Sequence, residues 1–128
     1  MSARNPVGWF EIYVTDMARA RAFYEGVLDV TMTSLVEPGG GGTSMWAFPM
    51  AQEAAGAAGA LVAMQGGQRP NGNGTLVYFT CQDCAVEAAR VPAQGGTIVK
   101  DKFAIGEYGF VALVADPDGN VIGLHSRA

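Results

Sequence analysis

Glu11 is a carboxylate set between two aromatic residues, in the run Gly8-Trp9-Phe10-Glu11-Ile12-Tyr13-Val14. If the run is a strand, alternation puts Trp9, Glu11 and Tyr13 on one face and Phe10, Ile12 and Val14 on the other. A charged group among rings needs hydrogen-bond partners or a raised pKa. Such a carboxylate can anchor the polar end of a small molecule or act as a general base, while the rings stack on a planar or apolar body. It can equally be paired with an Arg or bonded to Tyr78, doing no more than satisfying itself at a subunit contact. Trp46, Phe48 or Met45 from a later strand can reach the same space, and Tyr78 is the counterpart of Glu11 in a second copy of the motif.

Three other places carry side chains with chemistry. His125 is the one histidine; its pKa range suits acid–base work, and its near-terminal position also suits a solvated ring. Tyr108 lies in Gly106-Glu107-Tyr108-Gly109, between glycines that suit either a lid over a site or a cover for a sheet edge. Cys81 and Cys84 form a C-x-x-C, a spacing found in redox pairs. Cys81 falls on an inward strand position, where a thiol behaves as a small hydrophobe, so the pair reads as structural. The methionines Met32, Met45, Met50 and Met64 read as core or interface filler.

The elements that must position these residues come in two copies. Phe10-Glu11-Ile12-Tyr13-Val14-Thr15-Asp16 returns as Val77-Tyr78-Phe79-Thr80-Cys81-Gln82-Asp83, with a helix after each. Duplication of a whole supersecondary unit constrains a fold more than any single residue does. The first copy predicts a strand over 8–14, an Asp16-capped helix from Met17 to Leu28, and strands over 30–36, 44–48 and 60–65. Arg19, Arg21 and Glu25 are expected on the outside of that helix, with Met17, Ala20, Phe23, Tyr24, Val27 and Leu28 inside. Residues 51–59 read as one loose helical turn, and 37–42 as a glycine-rich hairpin tip. A turn-rich linker covers 66–74. The second copy predicts a strand over 76–81, a helix over 83–91 closed by Pro92, and strands over 97–103, 109–115 and 120–125, the last two joined by a tight Asp116-Pro117-Asp118-Gly119 turn.

This β-α-β-β-β doubling resembles the vicinal oxygen chelate superfamily, the glyoxalase, bleomycin-resistance and extradiol-dioxygenase fold. The residues that carry the resemblance are Val14-Thr15-Asp16 with Ala22-Phe23-Tyr24-Glu25 and Leu28, Gly95-Gly96, Tyr108-Gly109, and Asp116-Pro117-Asp118-Gly119-Asn120. It implies an α+β chain of one domain, with modules at about 7–65 and 75–126. Their eight strands would form a cupped, mixed sheet, with a helix packed outside each half. Asp29 departs from the glycine usual after that Leu, which implies a different helix cap.

Members of the family hold a divalent metal on ligands that face the cup. The first His position falls on Trp9, its counterpart in the second module on Leu76, and the terminal Glu position on Gly123. None of these side chains binds a metal, so the expectation is no metal and no cofactor. Glu11 and His125 each lie two residues beyond an expected ligand position, roughly 6–7 Å along their strands. With Glu107 recruited they would make a displaced site, incomplete by the ligand counts of zinc or iron.

The chain has 128 residues, 49% of them hydrophobic, and a net charge of −4. That suffices for one core and argues against nucleic acid or an anionic membrane as partner. No apolar run approaches the roughly 20 residues needed to span a bilayer. The start lacks the apolar stretch of a signal peptide, so a cytoplasmic protein is expected. Open sheet edges invite pairing, and the resemblance implies a homodimer. The preferred reading is a metal-free binding protein for an apolar or aromatic small molecule, held by Trp9, Glu11, Tyr13, Trp46, Phe48, Tyr78, Tyr108 and His125. The alternative is an enzyme, a glyoxalase-like lyase or isomerase with Glu11 as catalytic base, or a dioxygenase-like one with the displaced metal site. A structural or regulatory subunit is the third reading.

Overall fold

The computed structural model describes residues 5–35, 42–51, 53–67, 69 and 74–128. The fold is α+β, a mixed eight-stranded sheet with two helices. Most of the glycine-rich tip and much of the linker expected over 66–74 lie outside the described residues. The chain divides into two compact units, Trp9–Thr75 and Leu76–Ala128, the latter joined by the N-terminal residues up to Gly8.

In the first unit, β1 (Val7–Tyr13) is followed by α1 (Met17–Leu28), β2 (Thr33–Leu35), β3 (Ser44–Ala47) and β4 (Ala58–Ala63). The strand order is β2-β3-β4-β1, with β1 and β4 parallel and the other pairs antiparallel. The helical turn expected over 51–59 is replaced by bends, and β4 starts two residues early. Asp16 caps α1 by accepting from the Arg19 amide at 3.1 Å. Asp29 ends it in the left-handed region, at φ 53°, a conformation that short polar side chains tolerate better than most.

The facing of α1 departs from expectation. Arg21 and Glu25 turn toward the sheet, their side chains 29% and 25% exposed. The Arg21 guanidinium lies 3.5 Å from the centroid of the Trp46 ring and 3.3 Å from Glu25. Glu25 also accepts from the Met32 amide at 2.8 Å, which with Arg21 holds its carboxyl below the usual range. A π face and an amide needing an acceptor draw the charged pair inward. Phe23, Val27 and Leu28 are left outward, at 60%, 65% and 52% exposure.

The second unit contains β5 (Thr75–Thr80), α2 (Cys84–Arg90), β6 (Thr97–Ala104), β7 (Phe110–Ala115) and β8 (Val121–Ser126), ordered β5-β8-β7-β6. Pro92 does not simply stop the helix but opens a short 3-10 turn. Cys84, Ala88, Ala112, Val114 and Leu124 form the core under α2, with Phe79 and Cys81 packed against it. Both thiols are free, Cys84 wholly buried, and desolvation pushes Cys81 up to about 11. The C-x-x-C therefore packs as two small hydrophobes. Ser126, 1% exposed, accepts from the Cys84 amide at 2.9 Å and completes the first turn of α2.

Among the described residues, the end strands of the two units are a short β2 and an irregularly paired β6. β6 pairs with β7 across two register shifts and carries Lys100 and Lys102, while β2 is three residues long. Bulges, lysines and brevity all blunt an edge, so edge pairing loses its force as an argument for dimerisation. No helix among the described residues is long and apolar enough to cross a membrane.

Two outcomes follow for this architecture. Gly109 sits at φ 102°, and a Cβ there would strike the Ser126 carbonyl and the Arg127 backbone. Gly109→Ala should therefore cost about 2–4 kcal/mol in urea unfolding, since neither the dihedral nor the backbone can yield cheaply. In the native protein at pH 8, both cysteines should react with iodoacetamide far more slowly than after denaturation. Rapid native labelling of Cys81 would contradict its packing under α2.

Candidate functional site

Strand register decides which side chains can share a site. Glu11 lies beside Ala60, and Ala60 beside Ala47; Tyr13 lies beside Val62, and Val62 beside Met45. Residues side by side in adjacent strands project to the same face. One face of the first unit thus carries Trp9, Glu11 and Tyr13 with Met45, Ala47 and Val62. The other carries Phe10, Ile12, Leu61 and Trp46.

On the first face, residues two apart along β1 lean toward one another. The Trp9 indole N–H donates to Glu11 Oε2 at 3.1 Å, and the Tyr13 hydroxyl donates to Oε1 at 2.6 Å. Glu11 is 9% exposed and Tyr13 8%. Both carboxylate oxygens hold an aromatic donor, and the two rings are fixed in orientation by the same carboxylate. Ala47 and Ala60, 1% and 0% exposed, keep the strip beside Glu11 short of side-chain bulk. A cavity of about 280 Å³ lies in the same unit, lined by Pro49, Met50, Ala51, Ala54, Ala55, Gly56, Ala57 and Ala58. It offers apolar side chains only, and Ala58 is the register partner of Trp9.

Trp46 and Phe48, expected beside Glu11, are on the opposite face. Trp46 lies under Arg21 of α1, and the Phe48 ring stands 5.7 Å from both Phe10 and Tyr24. The parity of β3 is the reason: Met45 and Ala47, not Trp46, are in phase with Glu11. Sequence reasoning missed Ala47 and Ala60, which have no side-chain chemistry to notice. It missed the Arg21–Trp46 stack because Arg21 was assigned to solvent.

In the second unit, Tyr78 lies beside Gly123, and His125 lies beside Thr80 and Val111, all on the face away from the α2 core. A Cβ on Gly123 would collide with the Tyr78 ring, so the glycine is the seat of that ring. His125 Nε2 lies 2.6 Å from the Tyr108 carbonyl oxygen. A carbonyl only accepts, so Nε2 carries the proton, and Nδ1 is the nitrogen turned to other uses. Arg127 donates to the Glu107 carbonyl at 3.3 Å, and the Ile105 amide to the Gly109 carbonyl at 2.9 Å. The turn Gly106–Tyr108 is thereby fastened from β8, which disfavours a swinging lid, and the Tyr108 ring projects from it 45% exposed.

The residues at the family's ligand positions do not fit a metal. Trp9 spends its indole N–H on Glu11, Leu76 is 1% exposed, and Gly123 lies under the Tyr78 ring. Among the described residues no three His, Cys, Asp or Glu side chains gather as a ligand set.

Asp116-Pro117-Asp118-Gly119 acts as a turn. Asp116 accepts from the Asn120 side chain and from the amides of Asp118 and Asn120, all at 2.9 Å. These bonds, that from the Asn120 side chain foremost, hold its carboxyl below the usual range.

Comparison with known proteins agrees with this geometry. A 28% identical protein of Mycobacterium bovis, whose name marks it as a candidate glyoxylase, matches over 91% of this chain and 43% of its own length. An anthracycline biosynthesis protein of Streptomyces, also 28% identical, covers 87% of the chain and again 43% of itself. The chain thus spans less than half the length of these curated relatives. Among solved structures, methylmalonyl-CoA epimerase from Mycobacterium tuberculosis superposes with a TM-score of 0.70 at 17% identity, covering 100% of this chain and 93% of the other. A hypothetical protein of Bacillus halodurans gives 0.72 at 14% identity, covering 95% and 94%. The family model described as Glyoxalase/Bleomycin resistance protein/Dioxygenase superfamily matches residues 7–124. With the strand order and the paired modules, that match means that the chain belongs to the glyoxalase/bleomycin resistance/dioxygenase, or vicinal oxygen chelate, superfamily.

Proposed function

We propose that this chain is a single-domain, cytoplasmic small-molecule binding protein of the glyoxalase/bleomycin-resistance type, taking an apolar or aromatic ligand without a metal. The observation that carries the reading is the Glu11 carboxylate, 9% exposed and held by the Trp9 and Tyr13 ring donors. A polar group fixed among rings and small apolar side chains is the usual composition of a small-molecule site. Glu11 supplies the directional contact, and Trp9 and Tyr13 supply ring surface. In the second unit we assign Tyr78, Tyr108 and His125 Nδ1 to ligand contact. Trp46 and Phe48 are withdrawn from the ligand set, because they pack toward α1.

The second reading is an enzyme with Glu11 as general base. It is favoured by the solved relatives of this fold, which include methylmalonyl-CoA epimerases, one of them in complex with methylmalonyl-CoA. A base that abstracts a proton next to a carbonyl must lie within hydrogen-bond reach of that proton, and a carboxylate such as Glu11 is one of the groups that can fill the role.

Native mass spectrometry of freshly purified protein should reveal a retained organic ligand. Elemental analysis of protein prepared without chelator should find no stoichiometric transition metal, and finding one would overturn the metal-free reading. Glu11→Gln keeps the shape but weakens the charged acceptor, which is worth about 1.5–3 kcal/mol per hydrogen bond. Ligand affinity should fall about tenfold or more while the far-UV spectrum stays native. Unchanged affinity would remove Glu11 from the site. Hydrogen–deuterium exchange into a bound acyl thioester, lost in that variant, would decide for the enzyme.

A further inference from the structure

We propose that the face of the second unit turned away from α2 recognises an oxyanion: Lys100 binds a carboxylate or phosphate group carried on a flat apolar body, which lies against Leu113 and the Tyr78 ring. This rests on the small-molecule reading, from which it takes Tyr78, and it adds Lys100 and the charge of the ligand.

Irregular pairing of β6 brings Lys100 to that face. Ile98 lies beside Val114 and packs against the core under α2. Lys100, two residues further along β6, lies beside Leu113, one residue back along β7. In a regular strand Lys100 would share the face of Ile98, and the extra residue turns it to the opposite one. A second irregularity follows, where three steps along β6 answer two along β7. Phe103 therefore lies beside Val111 and shares the face of Lys100. Lys102 points the other way, 2.8 Å from Asp83 at the start of α2. Bulges that re-aim a side chain in this manner are common next to active sites.

Two unbroken rows cross the four strands on this face. One runs from Lys100 through Leu113 and Gly123 to Tyr78, the next from Phe103 through Val111 to His125. Neither row holds a carboxylate. The Lys100 ammonium lies 4.0 Å from the centroid of the Phe103 ring, which steadies the charge but supplies no oxygen to it. Among the described residues the ion pairs are Arg21–Glu25 and Lys102–Asp83, so Lys100 has no carboxylate of its own. Lys100 is exposed, and Leu113, Phe103 and Tyr78 are half-buried, so a ligand can reach them. The Tyr78 ring is spread over Gly123 and gives the first row a flat apolar floor. The chain carries 12 acidic residues against 8 Lys and Arg, so a face with a cation and no acid in its rows is complementary to an anion.

Isothermal titration calorimetry with 2-naphthoate and its neutral analogue 2-naphthamide, on the full chain near neutral pH, tests this. Wild type should bind the acid about tenfold more tightly than the amide, in spite of the repulsion expected from the net charge of −4. Lys100→Met should erase that preference by weakening the acid alone. Lys100→Arg should keep most of it, and both variants should melt near wild type. Arg90→Met removes the same charge from α2 and should leave the preference intact, which separates a local contact from the general field. A wild type that binds the amide as well as the acid overturns the proposal and leaves the small-molecule reading in place. So does a preference that survives in Lys100→Met, or one that Arg90→Met abolishes equally. Binding of neither probe at millimolar concentration also overturns it, and the Glu11 reading is then judged by its own retained ligand.

Discussion

The two-residue repeat of the pleat, carried in register through β1, β4 and β3, is the constraint on which the first unit depends. Once Glu11 lies beside Ala60 and Ala47, the side chains facing α1 and those sharing the carboxylate's face are fixed together. Shifting one strand by a single residue would exchange the two sets completely. Trp46 would then join Glu11, and Ala47 would lie under Arg21. The chemistry of the face is a consequence of pairing before it is a consequence of residue type.

Much of this was legible in the sequence because strong local signals agreed with the final structure. Asp16 and Asp83 each cap the helix that they precede, and Cys81 and Phe79 pack inward as the alternation of β5 requires. The alternation of β1 placed Trp9, Glu11 and Tyr13 together. Asp29 was readable as an unusual cap and adopts the left-handed conformation. What failed needed information from other parts of the chain. The phase of β3 relative to β1 is set by a partner strand some fifty residues away, so Trp46 and Phe48 were given the wrong face. The facing of α1 failed for a similar reason: no local pattern announces that Trp46 and the Met32 amide will draw Arg21 and Glu25 inward.

The pseudo-symmetry of the chain is one of backbone more than of function. Glu11 and Tyr78 hold equivalent places in their strands, yet one gathers two ring donors and the other lies over a glycine. A duplicated scaffold leaves each copy free to lose what the other supplies, provided that each keeps its helix-facing residues. That latitude is why fold could be read with more assurance than activity.

The cap that Ser126 places on the Cys84 amide has a consequence for assembly of the chain. The two residues are 42 positions apart, and Thr80 in the same unit bonds back to the carbonyl of Pro6. The start of α2 cannot reach its final geometry until the strand ending at Ser126 has been made, and the segment at Pro6 cannot until Thr80 is in place. The cap of α2 is thus a contact distant in sequence, whose loop-closure entropy must be met before it adds stability.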